Sequence, residues 1–192
     1  MGSQDRILIS IGADGVSIDA PSISLSRAST SAHPIVRSVW GEQGGTYAGI
    51  VTPWDGAPSY GLIAALVPEA KIKRAKFGPT AAMPAVSSRW DGASNMRTLL
   101  DVDPSNEIAN RIRDLEVGGF SDWHWPSRIE SAHLYASLGD QIQEFLGVSA
   151  AWICEQRPGF PSDAYVQYFG DGGQDWGHKD DEFGAVAVRR VY

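Results

Sequence analysis

Helical periodicity is confined to the middle of this 192-residue chain, and strand patterns lie on both sides of it. Asp103 offers an N-cap and Pro104 a first helical residue with φ already set. Ile108, Ile112 and Leu115 then recur at helical spacing, and Gly118 and Gly119 stop the run. A second helix is predicted from Ser127. There Ser127 and Glu130 fit a capping box, in which each side chain bonds the other residue's free amide. Ile129, Ala132, Tyr135 and Ala136 are its expected buried stripe. A short third helical segment is expected over 140–146, through Ile142, Phe145 and Leu146. No repeated βαβ unit is visible, so the order strands, two main helices, strands predicts an α+β fold with antiparallel sheets.

The N-terminal strands read by alternation. Ile7, Ile9 and Ile11, then Val16 and Ile18, then Ile23 and Leu25 fall at period two, with turn candidates at 12–15 and 20–21. Residues 1–37 are read as an extended β-arm and linker, and 38–192 as the main domain. A two-stranded arm is marginal alone, so it is expected to pair with another chain or with the main domain, the alternative being a frayed tail. Residues 36–67 look like a meander, with strands at 36–40, 46–52 and 60–67. A Gly-rich turn at 41–45 and a tight turn at 53–58, carrying Asp55-Gly56, would join them. The basic run KIKRAK (71–76) is read as a solvated edge rather than a binding patch, and 78–98 as an ordered loop. Past the helices, 150–154, 164–169 and 184–191 read as strands.

Charge and cysteine content exclude several classes. Sixteen basic against 23 acidic residues give a net charge of −7, which argues against nucleic-acid partners and anionic membrane surfaces. A single cysteine, Cys154, excludes an intramolecular disulfide framework and an all-cysteine zinc site. The longest apolar stretch, 62–67, is far too short for membrane insertion. The start MGSQDRILIS lacks a charged-then-apolar leader pattern, so secretory targeting is not expected.

Catalytic motifs are missing. There is no G-x-S-x-G elbow, no G-x-x-x-x-G-K-[ST] loop and no G-x-G-x-x-G. His33, His124, His133 and His178 show no H-x-x-x-H spacing, so neither a metal site nor another cofactor is expected. Cys154, on an apparent strand, is expected to be a buried inert thiol. The strongest acidic cluster is Asp171, Asp175, Asp180, Asp181 and Glu182, with Lys179 its one opposite charge. Its spacing matches no calcium loop. It reads as a solvated acidic loop or, functionally, as a recognition loop whose candidate ligand contacts are Asp171, Gln174, Asp175, Trp176 and His178.

Three blocks carry a family resemblance. The first runs over 44–51 (GGTYAGIV), Asp55-Gly56 and 60–63 (YGLI). The second is Gly118-Gly119-Phe120-Ser121-Asp122-Trp123, then Pro126-Ser127-Arg128, Glu130 and Leu134-Tyr135. The third is Trp152, the aromatic strand ending in Phe169-Gly170-Asp171-Gly172, Lys179, and Val188-Arg189-Arg190-Val191. Together they resemble phage tail-fibre and virion structural proteins with a C-type-lectin-like domain, related to the C-terminal domain of collagen-like bacterial adhesins. The central block looks like that family's GG-x-x-DW-x-x-P-[ST]-x-x-E…LY core, with His124 and Trp125 where Arg and Leu are usual. Ile153 and Cys154 stand where two Ser are usual.

The resemblance implies a virion protein whose lectin-like domain presents the loops within 155–163 and 171–182 to a host-surface glycan or protein. It also implies other virion proteins and sister subunits as partners, with a homotrimer as the arrangement typical of fibres. A capsid or tail decoration or cement protein is the alternative. Formylglycine-generating enzymes share the broad fold but use a cysteine pair, which a single Cys154 cannot supply, and an enzyme is not expected. The motif residues Gly118, Gly119, Asp122, Trp123, Ser127, Glu130, Trp152 and Arg189 take scaffold roles in this reading. Trp123 is expected to pack beneath the helix cap, and Asp122 to hold its own turn through its side chain. Of Arg189 and Arg190, only one is expected to point inward, and that one needs a carboxylate.

Overall fold

The structure, a computed structural model, describes residues 33–54 and 56–192, together with the backbone of residues 8–12 and 15–19. It divides into two units, Met1–His33 and Pro34–Tyr192. In the first, β1 (Leu8–Gly12) and β2 (Gly15–Asp19) pair antiparallel. Their register sets Ile9 opposite Ile18 and Ile11 opposite Val16. The expected turn residues 13–14, and Ile7, Ile23, Leu25 and the linker over 20–32, lie outside the described residues.

The second unit is α+β, with two sheets and three α-helices among the described residues. One sheet has four antiparallel strands in the order β11-β5-β4-β3. They are β3 (Val39–Trp40), β4 (Gly45–Val51), β5 (Tyr60–Ala64) and β11 (Val188–Val191). β5 lies inside the sheet and all five of its residues are buried, which is why it reads as a continuous apolar run. The β4–β5 connection spans 52–59 rather than a tight turn, and Asp55 within it lies outside the described residues.

The other sheet runs β6-β10-β7-β8-β9 and is antiparallel except where β10 meets β7. Its strands are β6 (Ile72–Lys76), β7 (Ala150–Gln156), β8 (Asp163–Tyr168), β9 (Gln174–His178) and β10 (Glu182–Ala185). β6 carries the basic run on the sheet edge, with Ile72 and Ala75 buried and Lys73, Arg74 and Lys76 exposed. The strand expected over 184–191 is two strands. The chain leaves the five-stranded sheet at Ala185 and enters the four-stranded one at Val188, with Val186 and Ala187 buried at the crossing.

The helices differ from expectation in three ways. α1 (Gly92–Val102) occupies the end of the predicted loop, capped by Asp91, whose side chain accepts the Ser94 amide. Gly92 is obligatory there, because a Cβ would lie 2.5 Å from the Ser127 nitrogen and 2.8 Å from Glu130 Oε2. α2 (Glu107–Arg113) is capped by Asn106, not Asp103. The Asn106 side chain also donates to the buried Phe77 carbonyl (2.8 Å), which fixes the helix start three residues later. α3 (Arg128–Leu146) is one helix through the expected break, with both halves of the Ser127–Glu130 box formed and Gly147 at φ +68° ending it. Its buried stripe is Leu134, Leu138, Ile142 and Leu146, while Ala132 and Ala136 are exposed. The i, i+4 row of long aliphatics wins the core because it buries more apolar area than alanines would.

α3 packs with Tyr60, Leu62 and Ala64 on one face of β5. Ile63 and Ala65 face the second core, which joins the two sheets through α1 and α2. An aromatic pile fills that core. Phe77 lies 5.2 Å from Trp125 and 5.6 Å from Trp152, and Trp152 lies 4.7 Å from Phe183. Both buried indoles find partners, Trp125 on the Trp152 carbonyl (2.8 Å) and Trp152 on the Ala75 carbonyl (2.9 Å).

Candidate functional site

The loop joining β7 to β8 turns tightly at Pro158 and Gly159, with Gly159 at φ +77°. This brings Phe160 back over Arg157. The Arg157 guanidinium lies 3.6 Å from the Phe160 ring centre and 3.7 Å from that of Trp176 on β9, so two rings flank it. Asp163 at the start of β8 fixes the same guanidinium from its edge (3.0 Å). Trp176 is 49% exposed although it sits in a strand.

Beside it, Tyr165 on β8 is the cross-strand neighbour of Trp176 and lies under the Arg128 guanidinium (4.1 Å). Arg128 Nε is 3.2 Å from Glu155 Oε2, yet neither atom makes a well-aimed hydrogen bond and both are buried. Burial therefore dominates over the attraction of Arg128 and Arg89, and the Glu155 carboxyl is pushed up to about 7. The result is a face with stacked cations, exposed aromatic area and one under-bonded carboxyl.

Of the five residues predicted to contact a ligand, Trp176 lies in this cluster. Gln174 borders it, donating to the Arg128 carbonyl and to Gln167 Oε1, both at 2.8 Å. Asp171 and Asp175 accept local amides, from Gly173 and Trp176. His178 Nδ1 accepts the Asp180 amide, and its own amide donates to Asp181. The region is not an irregular acidic loop: it holds the edge strand β9, paired with β8, and the start of β10, paired with β6 and β7. Lys179 is not solvated but fully buried, donating to the Ala81 carbonyl (2.9 Å) and Gln156 Oε1 (2.8 Å). Burial lowers its pKa to about 8. Glu155, Arg157 and Phe160 fall within the segment 155–163 expected to carry a recognition loop but were not named as contacts, and Arg128 and Tyr165 were not expected at a binding site. Arg128 and Glu155 meet only in space, and the one local signal was the alternation of aromatics along β8.

The motif residues make contacts outside this cluster. Gly118 at φ +62° and Gly119 at φ +81° make a reverse turn closed by Val117 and Phe120. A Cβ on Gly118 would lie 2.5 Å from the Gly44 Cα. Trp123 is buried and donates to the Phe120 carbonyl (2.9 Å). The Asp122 carboxylate receives Arg189 Nε (2.7 Å) and Nη2 (3.1 Å), with its own backbone amide as a further donor. Both final-strand arginines are paired, since Arg190 reaches Glu130 (2.9 Å) and Asp91 (3.2 Å).

Glu130 collects His124 Nε2 (3.0 Å), the Tyr60 hydroxyl (3.2 Å), Arg190 and the Ser127 amide (2.9 Å). Its burial would raise the pKa, but His124, Arg190 and the Ser127 amide together bring it down to about 2. Cys154 is buried, its thiol pushed well up by burial and by Glu130 and Glu155. His124 and His133 serve different partners, Glu130 and the Ala48 carbonyl. Among the described residues no three His, Cys, Asp or Glu side chains converge as metal ligands, and no helix is long and apolar enough to cross a membrane.

The α+β domain thus carries a cationic-aromatic cluster at Arg157, Phe160 and Trp176, and a separate network of paired charges at Glu130. Neither a protein-family model nor a curated protein matches the sequence.

Proposed function

We propose that the chain is a virion structural protein, of a tail fibre or tail-associated part, whose lectin-like domain recognises a host-surface glycan or protein through the Arg157–Trp176 face. One observation carries the binding half of this reading. Phe160 in the β7–β8 loop and Trp176 on the edge strand β9 hold a guanidinium between two partly exposed rings, a cost in exposed apolar area that folding alone does not require. The virion half, including sister subunits and other virion proteins as partners, rests on the resemblance of the three sequence blocks.

Binding of the purified protein to bacterial cell-surface glycans on an array, and to whole cells, tests it. Trp176→Ala and Arg157→Ala are expected to reduce binding at least tenfold while the fold persists. Binding that survives both substitutions counts against this face. A protein that binds no cell or glycan, but assembles into a particle with these residues covered, is the decoration protein of the alternative reading.

A further inference from the structure

A second site shares no residue with the Arg157 face: Pro53, Pro58, Trp90, Asp91, Arg190 and Tyr192 are among the residues that line a cleft of about 130 Å³. Its rim is aromatic. Trp54 is 78% exposed and uses one face to stack on Trp90, with centres 5.4 Å apart and planes at 25°. Its other face is left to solvent. Tyr192 is 81% exposed and leans on buried Tyr60 at 5.9 Å. Tyr192 lines the cleft and Trp54 flanks it by stacking on the lining residue Trp90, and two large exposed rings so placed are uncommon on a surface that has no use for them.

The floor is polar and selective. Asp91 Oδ1 takes both protein hydrogen bonds, from the Ser94 amide (3.1 Å) and from Arg190 Nη2 (3.2 Å). Asp91 Oδ2 is left without a hydrogen bond from the protein, on a half-exposed carboxylate that lines the cleft. Arg190 is the one cation in the lining, and it is committed to Glu130, Asp91 and the Trp90 carbonyl. Asp91 and Arg190 are the charged residues of the described lining and they pair with each other, so an acidic ligand finds no free cation among the described lining residues.

What remains is chemistry for an uncharged ligand with an apolar face and hydroxyl donors. The volume corresponds to about four waters at ~30 Å³ each, well below the ~300 Å³ of a drug-sized pocket. One six-membered ring is therefore the natural size. The geometry points to a subsite for a single neutral pyranose, with Trp54 against the ring's C–H face and Asp91 Oδ2 accepting from its hydroxyls. This inference does not rest on the Arg157 face, and the two fail separately.

The probes are glucose, galactose, mannose and N-acetylglucosamine, with N-acetylneuraminic acid as the anionic comparison. Each is titrated to about 50 mM while the indole N–H resonances of the tryptophans are followed, because a one-ring ligand on an open site binds in the millimolar range. At least one neutral sugar is expected to shift the Trp54 and Trp90 signals saturably. Trp54→Ala is then expected to weaken binding at least tenfold, with the shift of the Trp90 signal as its readout. Asp91→Asn, which keeps the helix cap but puts a donor where Oδ2 accepts, is expected to do the same. Trp176→Ala is expected to leave the affinity unchanged. The inference is overturned if no neutral sugar moves these signals, if the acidic sugar binds more tightly, or if both cleft variants bind like the parent.

Discussion

Glu130 and Glu155 are the same residue type, both buried, on the consecutive elements α3 and β7, and they lie in opposite states. Glu130 receives four groups aimed at its oxygens and is held as an anion, with its pKa down at about 2. Glu155 has one guanidinium 3.2 Å away but off line, an oxygen without a hydrogen bond, and a pKa up at about 7. A fully satisfied buried charge knits a scaffold, whereas a half-satisfied one is costly and is retained where something else uses it. Glu130 ties α3, β11, β5 and the α1 cap into one network. Glu155 sits behind the exposed Tyr165–Trp176 face.

Removing the satisfied member should cost most. Glu130→Ala is expected to lower stability by about 3–5 kcal/mol, because it strands Arg190 and the Tyr60 hydroxyl in the interior. Urea unfolding reads this out, and a loss below about 1 kcal/mol would mean the network is not the anchor described. The acid side follows from the same group. Its folded pKa lies below the ordinary 4.5, so its stabilisation is full above that value and drains away as pH falls toward about 2. Thermal midpoints taken between pH 5 and 2 should fall steadily in the parent and more shallowly in Glu130→Ala.

What the sequence disclosed tracks how local each signal is. The Ser127–Glu130 box spans four residues, and both of its hydrogen bonds are present. The central buried strand β5 was equally plain, since continuous apolar residues need no partner to be recognised. α1 was missed because its buried stripe is short, Met96 and Leu99, behind a Pro- and Gly-marked stretch. β9 was missed because its residues are polar and exposed, and its place comes from backbone pairing with β8 alone. The candidate site follows the same rule. Trp176 stood out by type, but the guanidinium beside it comes from the β7–β8 loop and the carboxyl from β7. Proximity of that kind is a property of the fold.

The half-satisfied member gives a smaller effect of opposite sign. Glu155 binds its proton more tightly folded than unfolded, so the native state carries the extra proton between its ordinary 4.5 and about 7. Stability should therefore fall as pH rises through that window. Glu155→Gln imitates the protonated form. It is expected to match the parent near pH 4.5 and to be more stable by on the order of 2 kcal/mol at pH 8. Parallel pH curves for parent and variant would show that Glu155 is ionised as readily as a surface carboxylate, and the contrast with Glu130 would collapse.

Trp176→Ala should change stability least, by less than about 1 kcal/mol, because the ring is half-exposed and its main contact is to a guanidinium that Phe160 still covers. Small stability loss is what separates a recognition residue from a scaffold one. The same truncation at buried Trp152 would remove a ring packed against Phe77 and Phe183 and orphan the Ala75 carbonyl, at about 3–5 kcal/mol. Denaturation midpoints of the two variants, measured side by side, decide whether the β9 face is held open for use or is part of the core. A Trp176 variant as damaged as the Trp152 variant would place the face in the core.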